Sequence, residues 1–173
     1  MKVLRKTGEP WNVTIVDTGE STQTGGRLKL VSRYIKSKKF CFTYGDGLCN
    51  INMRQQIKFH TEHGREATIT AVQPPGRYGL LDINNTLVTA FHEKPLGDGG
   101  WINGGFFILN KSVINRIAGD QTVWEREPLE GLATDKQLVA FKHTGFWQSM
   151  DTLRDKIVLE NLWTSGKAPW INW

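Results

Sequence analysis

Cysteine is nearly absent: Cys41 and Cys49 are the only two in 173 residues, too few for a disulfide scaffold. No window approaches ~18 consecutive apolar residues, so no membrane-spanning helix is expected. The basic start Met1-Lys2-Val3-Leu4-Arg5-Lys6 has no apolar run behind it, as a secretory leader would need, and a cytoplasmic protein is the expectation. Low-complexity linkers and internal repeats are also missing, which predicts one continuous domain over residues 1–173. A content of 39% hydrophobic and 10% aromatic residues is enough for a real core.

The net charge of +5 is unevenly distributed. Residues 1–39 carry nine Lys/Arg against three Asp/Glu, and the remainder is close to balanced. A basic segment attracts phosphate-bearing molecules. Lys36, Lys38 and Lys39 read more simply as a solvated cluster at a helix end. Nucleic acid is not an expected partner, because the tryptophans are not interleaved with the basic residues.

Periodicity and breakers outline an α/β chain. Strands are predicted at Asn12–Val16, Phe40–Tyr44, Thr68–Val72, Trp101–Leu109 and Leu138–Lys142. A hairpin is predicted from Gly79–Ile83 and Leu87–His92 about Asn84-Asn85. Helices are predicted from Gly26 with Leu28, Val31 and Ile35 on one face, and over Asn52–His63 with Gly64 as terminator. Further helices are predicted over Lys111–Ala118 capped by Asn110, Trp124–Thr134, and Thr152–Thr164 with a Thr152/Asp155 capping box. Phe40–Tyr44 is nearly all apolar, as a central strand covered on both faces would be, which places Cys41 in the core. The strand–helix–strand order around Asn52–His63 predicts a parallel crossover. His60 and His63 read as exposed helix histidines, since no third metal ligand stands nearby. Trp163, Trp170 and Trp173 are expected to pack on another surface.

Two acidic motifs carry the chemistry. Tyr44-Gly45-Asp46-Gly47 follows one apolar strand, and Met150-Asp151-Thr152 follows Phe146-Trp147 and precedes a helix. In an open α/β sheet, ligands sit beyond the carboxyl ends of strands. Two carboxylates meeting there would hold Mg²⁺, with phosphate oxygens completing its octahedron. Aspartates also favour turns and helix starts for purely structural reasons.

Gly45-Asp46-Gly47, Glu93-Lys94-Pro95, Asn103-Gly104-Gly105-Phe106 and Met150-Asp151-Thr152 occur in the order seen in sugar-1-phosphate nucleotidyltransferases, and the chain resembles that family along its length. Glu9-Pro10-Trp11-Asn12-Val13, Thr24-Gly25-Gly26-Arg27-Leu28 and the stretch from Trp147 to Lys156 narrow the likeness to the glucose-1-phosphate cytidylyltransferases. Those enzymes make CDP-glucose from CTP and glucose-1-phosphate for bacterial surface polysaccharides.

The resemblance implies a mixed, mostly parallel Rossmann-like α/β sheet flanked by helices. It also implies nucleotide contacts from Thr22, Arg27, Gly45 and Asp46. Sugar-phosphate contacts would come from Gly79, Glu93, Lys94 and Asn103, with Asp46 and Asp151 as the Mg²⁺ ligands. No side chain is implied as a covalent catalyst.

Family members open with a glycine-rich loop that cradles the triphosphate, and a lysine follows it. Neither is found here before Trp11. The expectation is therefore a sheet truncated on its N-terminal side and little cytidylyltransferase activity. An exposed sheet edge would then favour a homo-oligomer. The alternative expectation is a non-catalytic module that binds sugar phosphates or nucleotides. No membrane partner is expected.

Overall fold

The computed structural model describes residues 11–76 and 78–171. The N-terminal segment through Pro10 and the expected contact of Trp173 lie outside the described residues. The strands are β1 (Lys39–Thr43), β2 (Gly47–Cys49), β3 (Ala67–Val72), β4 (Leu80–Asn84), β5 (Leu87–His92), β6 (Ile102–Asn110), β7 (Leu138–His143) and β8 (Trp147–Ser149). The α-helices are α1 (Thr24–Val31), α2 (Met53–His63), α3 (Glu127–Thr134) and α4 (Leu153–Thr164).

The central sheet has the order β1-β6-β3-β7. β6 is antiparallel to both β1 and β3, whereas β3 and β7 are parallel. Three strands thus run one way and β6 alone is reversed, giving a mixed, mostly parallel α/β sheet. β2 with β8 and β4 with β5 form two separate antiparallel ribbons.

Alternation along the strands decides which helix packs where. Phe107 and Leu109 of β6, Ala67 of β3 and partly buried Phe40, Phe42 and Ile69 form one apolar face. Leu28 of α1, Leu129 and Leu132 of α3, and the connecting Val113, Ile117 and Trp124 close over it. Burying a Leu or Phe side chain stabilises the fold by roughly 1.5–3 kcal/mol.

The opposite face carries Thr68 and Thr70, and α2 lays a polar seam on it. Gln56 Nε2 donates to Thr70 Oγ1 at 2.7 Å, and His60 Nδ1 lies 2.8 Å from Thr68 Oγ1. The ends of α2 match expectation. The Asn52 side chain accepts from Gln55 N at 3.0 Å, and Gly64 ends the helix at φ +66°.

Several sequence expectations are corrected. Asn12–Val16 is not a strand; Ile15 is 93% exposed, and no described strand pairs with the segment. Branched side chains favour an extended chain, but a strand needs a ladder partner. β1 is an edge strand among the described strands, not a central one, and only its alternate residues Phe40 and Phe42 face the core. Cys41 points the other way and is exposed.

The first helix stops at Val31 and tightens into a 3₁₀ turn at Ser32–Tyr34, leaving Ile35 extended. Lys111–Arg116 is 3₁₀, not α, and Asn110 does not cap it. The Asn110 side chain instead donates to Arg65 O at 3.2 Å and lies 3.2 Å from His60 Nε2. The helix expected from Trp124 begins at Glu127, because Trp124 is drawn wholly into the core. The hairpin turn sits at Asn85-Thr86, with Asn85 at φ +54°. His60 is 1% exposed and hydrogen-bonded, not a solvated surface histidine.

Candidate functional site

The two acidic motifs meet through backbone pairing. In the β2–β8 ribbon Gly47 faces Ser149, Leu48 faces Gln148 and Cys49 faces Trp147. One step beyond, Met150 N donates to Asp46 O at 2.8 Å. The Trp147 indole N–H donates to Gly104 O at 2.8 Å and ties this ribbon to β6. The result is an open cleft of about 160 Å³ lined by Asp46, Asp151, Asn103, Tyr44, Trp147 and Ser149, among others.

Each carboxylate is positioned locally. Asp46 is exposed in the turn between β1 and β2. Asp151 accepts from Ser149 Oγ at 2.8 Å and directly precedes the cap of α4. That cap is the expected box: Asp155 N donates to Thr152 Oγ1 at 3.2 Å, and Thr152 N donates to Asp155 Oδ2 at 3.0 Å. Gly45 is exposed, and a Cβ there would meet nothing within 4 Å.

The cleft floor is the backbone of Gly104 and Gly105. Gly105 sits at φ +76°, and a Cβ there would lie 2.7 Å from Tyr44 Cδ2. Both facts require glycine.

Asn103 reaches the cleft from β6, held by two hydrogen bonds. Its Nδ2 donates to Tyr44 OH at 3.1 Å, and its Oδ1 accepts from Gly105 N at 2.8 Å. The Tyr44 ring packs edge-on against Phe42 and Phe107, with centroids 5.9 and 5.8 Å away. Tyr44 OH donates to Glu125 Oε1 at 2.5 Å. Burial, and then this bond to a carboxylate, hold the phenol well above its ordinary pKa. The Cys49 thiol is pushed up to about 11 by burial, which leaves no thiolate near neutral pH.

The other sequence-derived residues form two further groups, neither lining this cleft. Thr22 is buried and donates to Thr18 O at 2.5 Å. Arg27 is turned back on its own loop, donating to Thr18 Oγ1 at 2.6 Å and Glu20 O at 3.0 Å. Two donors of its fork are thereby engaged within the chain. Gly79, Glu93 and Lys94 flank the β4–β5 hairpin. A Cβ on Gly79 would lie 3.6 Å from Glu93 Oε2, and Lys94 Nζ pairs with Glu93 Oε1 at 3.0 Å in the open. Lys94 adopts φ +44°.

Sequence reasoning did not single out Glu125, Thr24 or Trp147 as parts of the site, nor give Tyr44 a role of its own. Tyr44 adjoins the first acidic motif and was within reach of local reading. Glu125 lies in an unremarkable helical-looking stretch, and no local pattern marks it.

Among the described residues no group of three or more His, Cys, Asp and Glu side chains is arranged to hold a metal. Two carboxylates are the donors the cleft offers, a set suited to a hard cation that takes its other ligands from water and phosphate.

The cleft thus lies between two acidic turns, one following β1 of the mixed sheet and the other following β8 of the ribbon. Sequence comparison gives the class: the profile described as Nucleotidyl transferase matches residues 2–150, and the chain belongs to that family. Within the family it is 58% identical, over its whole length, to the glucose-1-phosphate cytidylyltransferase of Salmonella typhimurium, and it spans 68% of that enzyme.

The fold agrees. The crystal structure of HddC from Yersinia pseudotuberculosis complexed with GMP-PN superposes with a TM-score of 0.58 at 26% identity. That match covers 80% of this chain and 61% of HddC. A UDP-glucose pyrophosphorylase complexed with UDP-glucose shares the fold at a TM-score of 0.62 and 12% identity, over 87% of this chain and 65% of that one. This chain therefore spans about two-thirds of the relatives' length. No helix among the described residues is long and apolar enough to cross a membrane.

Proposed function

We propose that the cleft takes the reacting phosphates in sugar-1-phosphate nucleotidyl transfer, with CTP and glucose-1-phosphate as the substrates and CDP-glucose as the product. The observation that carries this reading is the convergence of Asp46 and Asp151 on one cleft through the β2–β8 ribbon. The 58% likeness to a glucose-1-phosphate cytidylyltransferase supports the choice of base and sugar.

In this reaction an oxygen of the sugar phosphate forms a bond to the α-phosphorus. The bond from that phosphorus to the bridging oxygen breaks, and pyrophosphate leaves. Such displacements depend on positioning and charge compensation more than on a covalent catalyst. Asp46 and Asp151 would hold Mg²⁺. When bound, it supplies positive charge against the phosphate oxygens.

The protein's own groups supply orientation. Asn103 offers an amide donor to a sugar hydroxyl. Glu93 and Lys94, on the exposed turn after β5, are the groups proposed to receive the sugar and its phosphate. Gly45 leaves backbone room beside the ribose, and Gly79 lets the hairpin approach. Thr22 and Arg27 shape the loop that faces the nucleotide, and Arg27 retains donors beyond the two it spends internally. The protein works in the cytoplasm, where CTP is found. β1, an edge strand among the described strands, and the hairpin, with Ile83, Leu87 and Phe91 each at least 60% exposed, favour self-association.

Calorimetry with CTP and with glucose-1-phosphate, each with Mg²⁺, tests the reading alongside a pyrophosphate-release assay. Binding of both ligands with release of pyrophosphate is expected. Binding without release makes the protein a sugar-phosphate module, and binding of neither overturns the assignment.

A further inference from the structure

Glu125 does not itself line the cleft, yet it is joined to Asn103, through the lining residue Tyr44, by a chain of hydrogen bonds whose direction is decided at Glu125. An ionised carboxylate only accepts. Its Oε2 accepts from Thr24 Oγ1 at 2.9 Å, and that hydroxyl in turn accepts from Trp124 N at 2.9 Å. Its Oε1 accepts from Tyr44 OH at 2.5 Å. Having spent its one proton there, the phenol can only accept from Asn103, so Asn103 must present its nitrogen to Tyr44. Gly105 N, donating to Asn103 Oδ1, reinforces the same amide orientation. The second Nδ2 hydrogen of Asn103 has no partner among the described residues, and Asn103 lines the cleft.

We infer that Glu125 is a positioning residue that acts through Tyr44 to hold the Asn103 amide with a donor facing the cleft, where a sugar hydroxyl would accept it. The same carboxylate ties down Thr24, the first residue of α1, so one buried-edge group braces both the helix of the nucleotide-facing loop and the sugar-facing amide. The consequence for sugar binding rests on the function proposed above; the relay itself does not.

The variant Glu125→Gln keeps the shape and reverses the option, since its amide can donate to Tyr44 and free that proton for Asn103 Oδ1. Proton–nitrogen correlation spectra of the intact protein without ligand read the result. The Asn103 side-chain amide pair is expected to move in E125Q, to move in Tyr44→Phe, and to move no further when E125Q is added to Y44F. An unmoved pair in E125Q, or an equal displacement in both backgrounds, overturns the relay. Y44F keeps the ring in its aromatic contacts, so an unmoved Asn103 pair there overturns it even if E125Q fails to fold.

Glucose-1-phosphate affinity by calorimetry is expected to weaken about tenfold in E125Q, the size of one lost hydrogen bond, with CTP affinity within about twofold. Shifted spectra with unchanged sugar-phosphate affinity overturn the recognition role. Absence of glucose-1-phosphate binding in the unaltered protein overturns the functional proposal and the recognition role together, while the spectra still decide the relay.

Discussion

Met150 N donates to the carbonyl of Asp46 at 2.8 Å, and this one backbone bond joins two acidic turns separated by most of the chain. It places Asp46 and Asp151 along the same cleft without requiring either side chain to be buried. Each carboxylate is left exposed and available, and the ribbon beneath them carries the cost of holding them near one another.

Asp46→Asn and Asp151→Asn should therefore separate function from stability. Each is expected to lower Mg²⁺-dependent nucleotidyl transfer by about 10²-fold or more, in line with the loss of a charge-compensating group. Melting should change little, because surface substitutions stay within about 0.5 kcal/mol. The double variant should be scarcely worse than either single one, since groups serving one ion act as a unit. Pyrophosphate release and thermal melts measure both, and a strictly additive double variant would contradict the shared role.

Gly105→Ala should injure both stability and the cleft. The residue sits at φ +76° with the Tyr44 ring where a Cβ would go. A cost of roughly 1–3 kcal/mol is expected from strain and overpacking. Denaturant unfolding measures it, and an unchanged midpoint would refute the close approach.

Thr152→Ala removes the cap of α4 and half of its capping box. A loss of about 1 kcal/mol is expected, or roughly 2–4 °C in Tm for a chain of this size. The effect on activity should be indirect, through the adjoining Asp151.

Stability should fall as pH drops below the ordinary histidine value of 6.5. Burial, foremost, holds both His60 and His63 below that value in the folded protein. The unfolded chain then binds more protons than the native one between the native pKa values and 6.5, so stability is complete above that window and is lost on acidification through it. Melting scans from pH 7.5 downward check the slope, and His60→Gln should flatten it.

Lys94→Ala should weaken glucose-1-phosphate binding about tenfold while leaving CTP binding and the melting temperature nearly unchanged. The exposed pair with Glu93 contributes little to folding, so a large stability loss would argue for a structural role instead. Calorimetry with each ligand separates the two.

The local features were legible because local rules govern them. Asn52 and Gly64 bound α2, and Thr152 with Asp155 caps α4, since capping is settled within four residues. Phe40–Phe42 was readable as a strand but not as an edge. An apolar run states what a segment would bury, and β6, far along the chain, supplies its one neighbour among the described strands. Asn12–Val16 has strand-forming residues and no ladder, which no scan of that segment reveals. His60 looked like a surface histidine until β3 set Thr68 against it.

By itself the sequence determined the family, the α/β character, the glycine stop of α2, the capping box of α4 and the identity of the two acidic turns. These depend on residue type and short spacing, which a linear chain displays. The tertiary structure alone decided that the β2–β8 ribbon is what brings Asp46 and Asp151 to the cleft they were expected to share, that Arg27 spends part of its fork on its own loop, and that Glu125 stands behind Asn103. Each is a contact between groups far apart in sequence, made by strand pairing and by carboxylate and hydroxyl geometry, and such contacts leave no periodic trace in the chain.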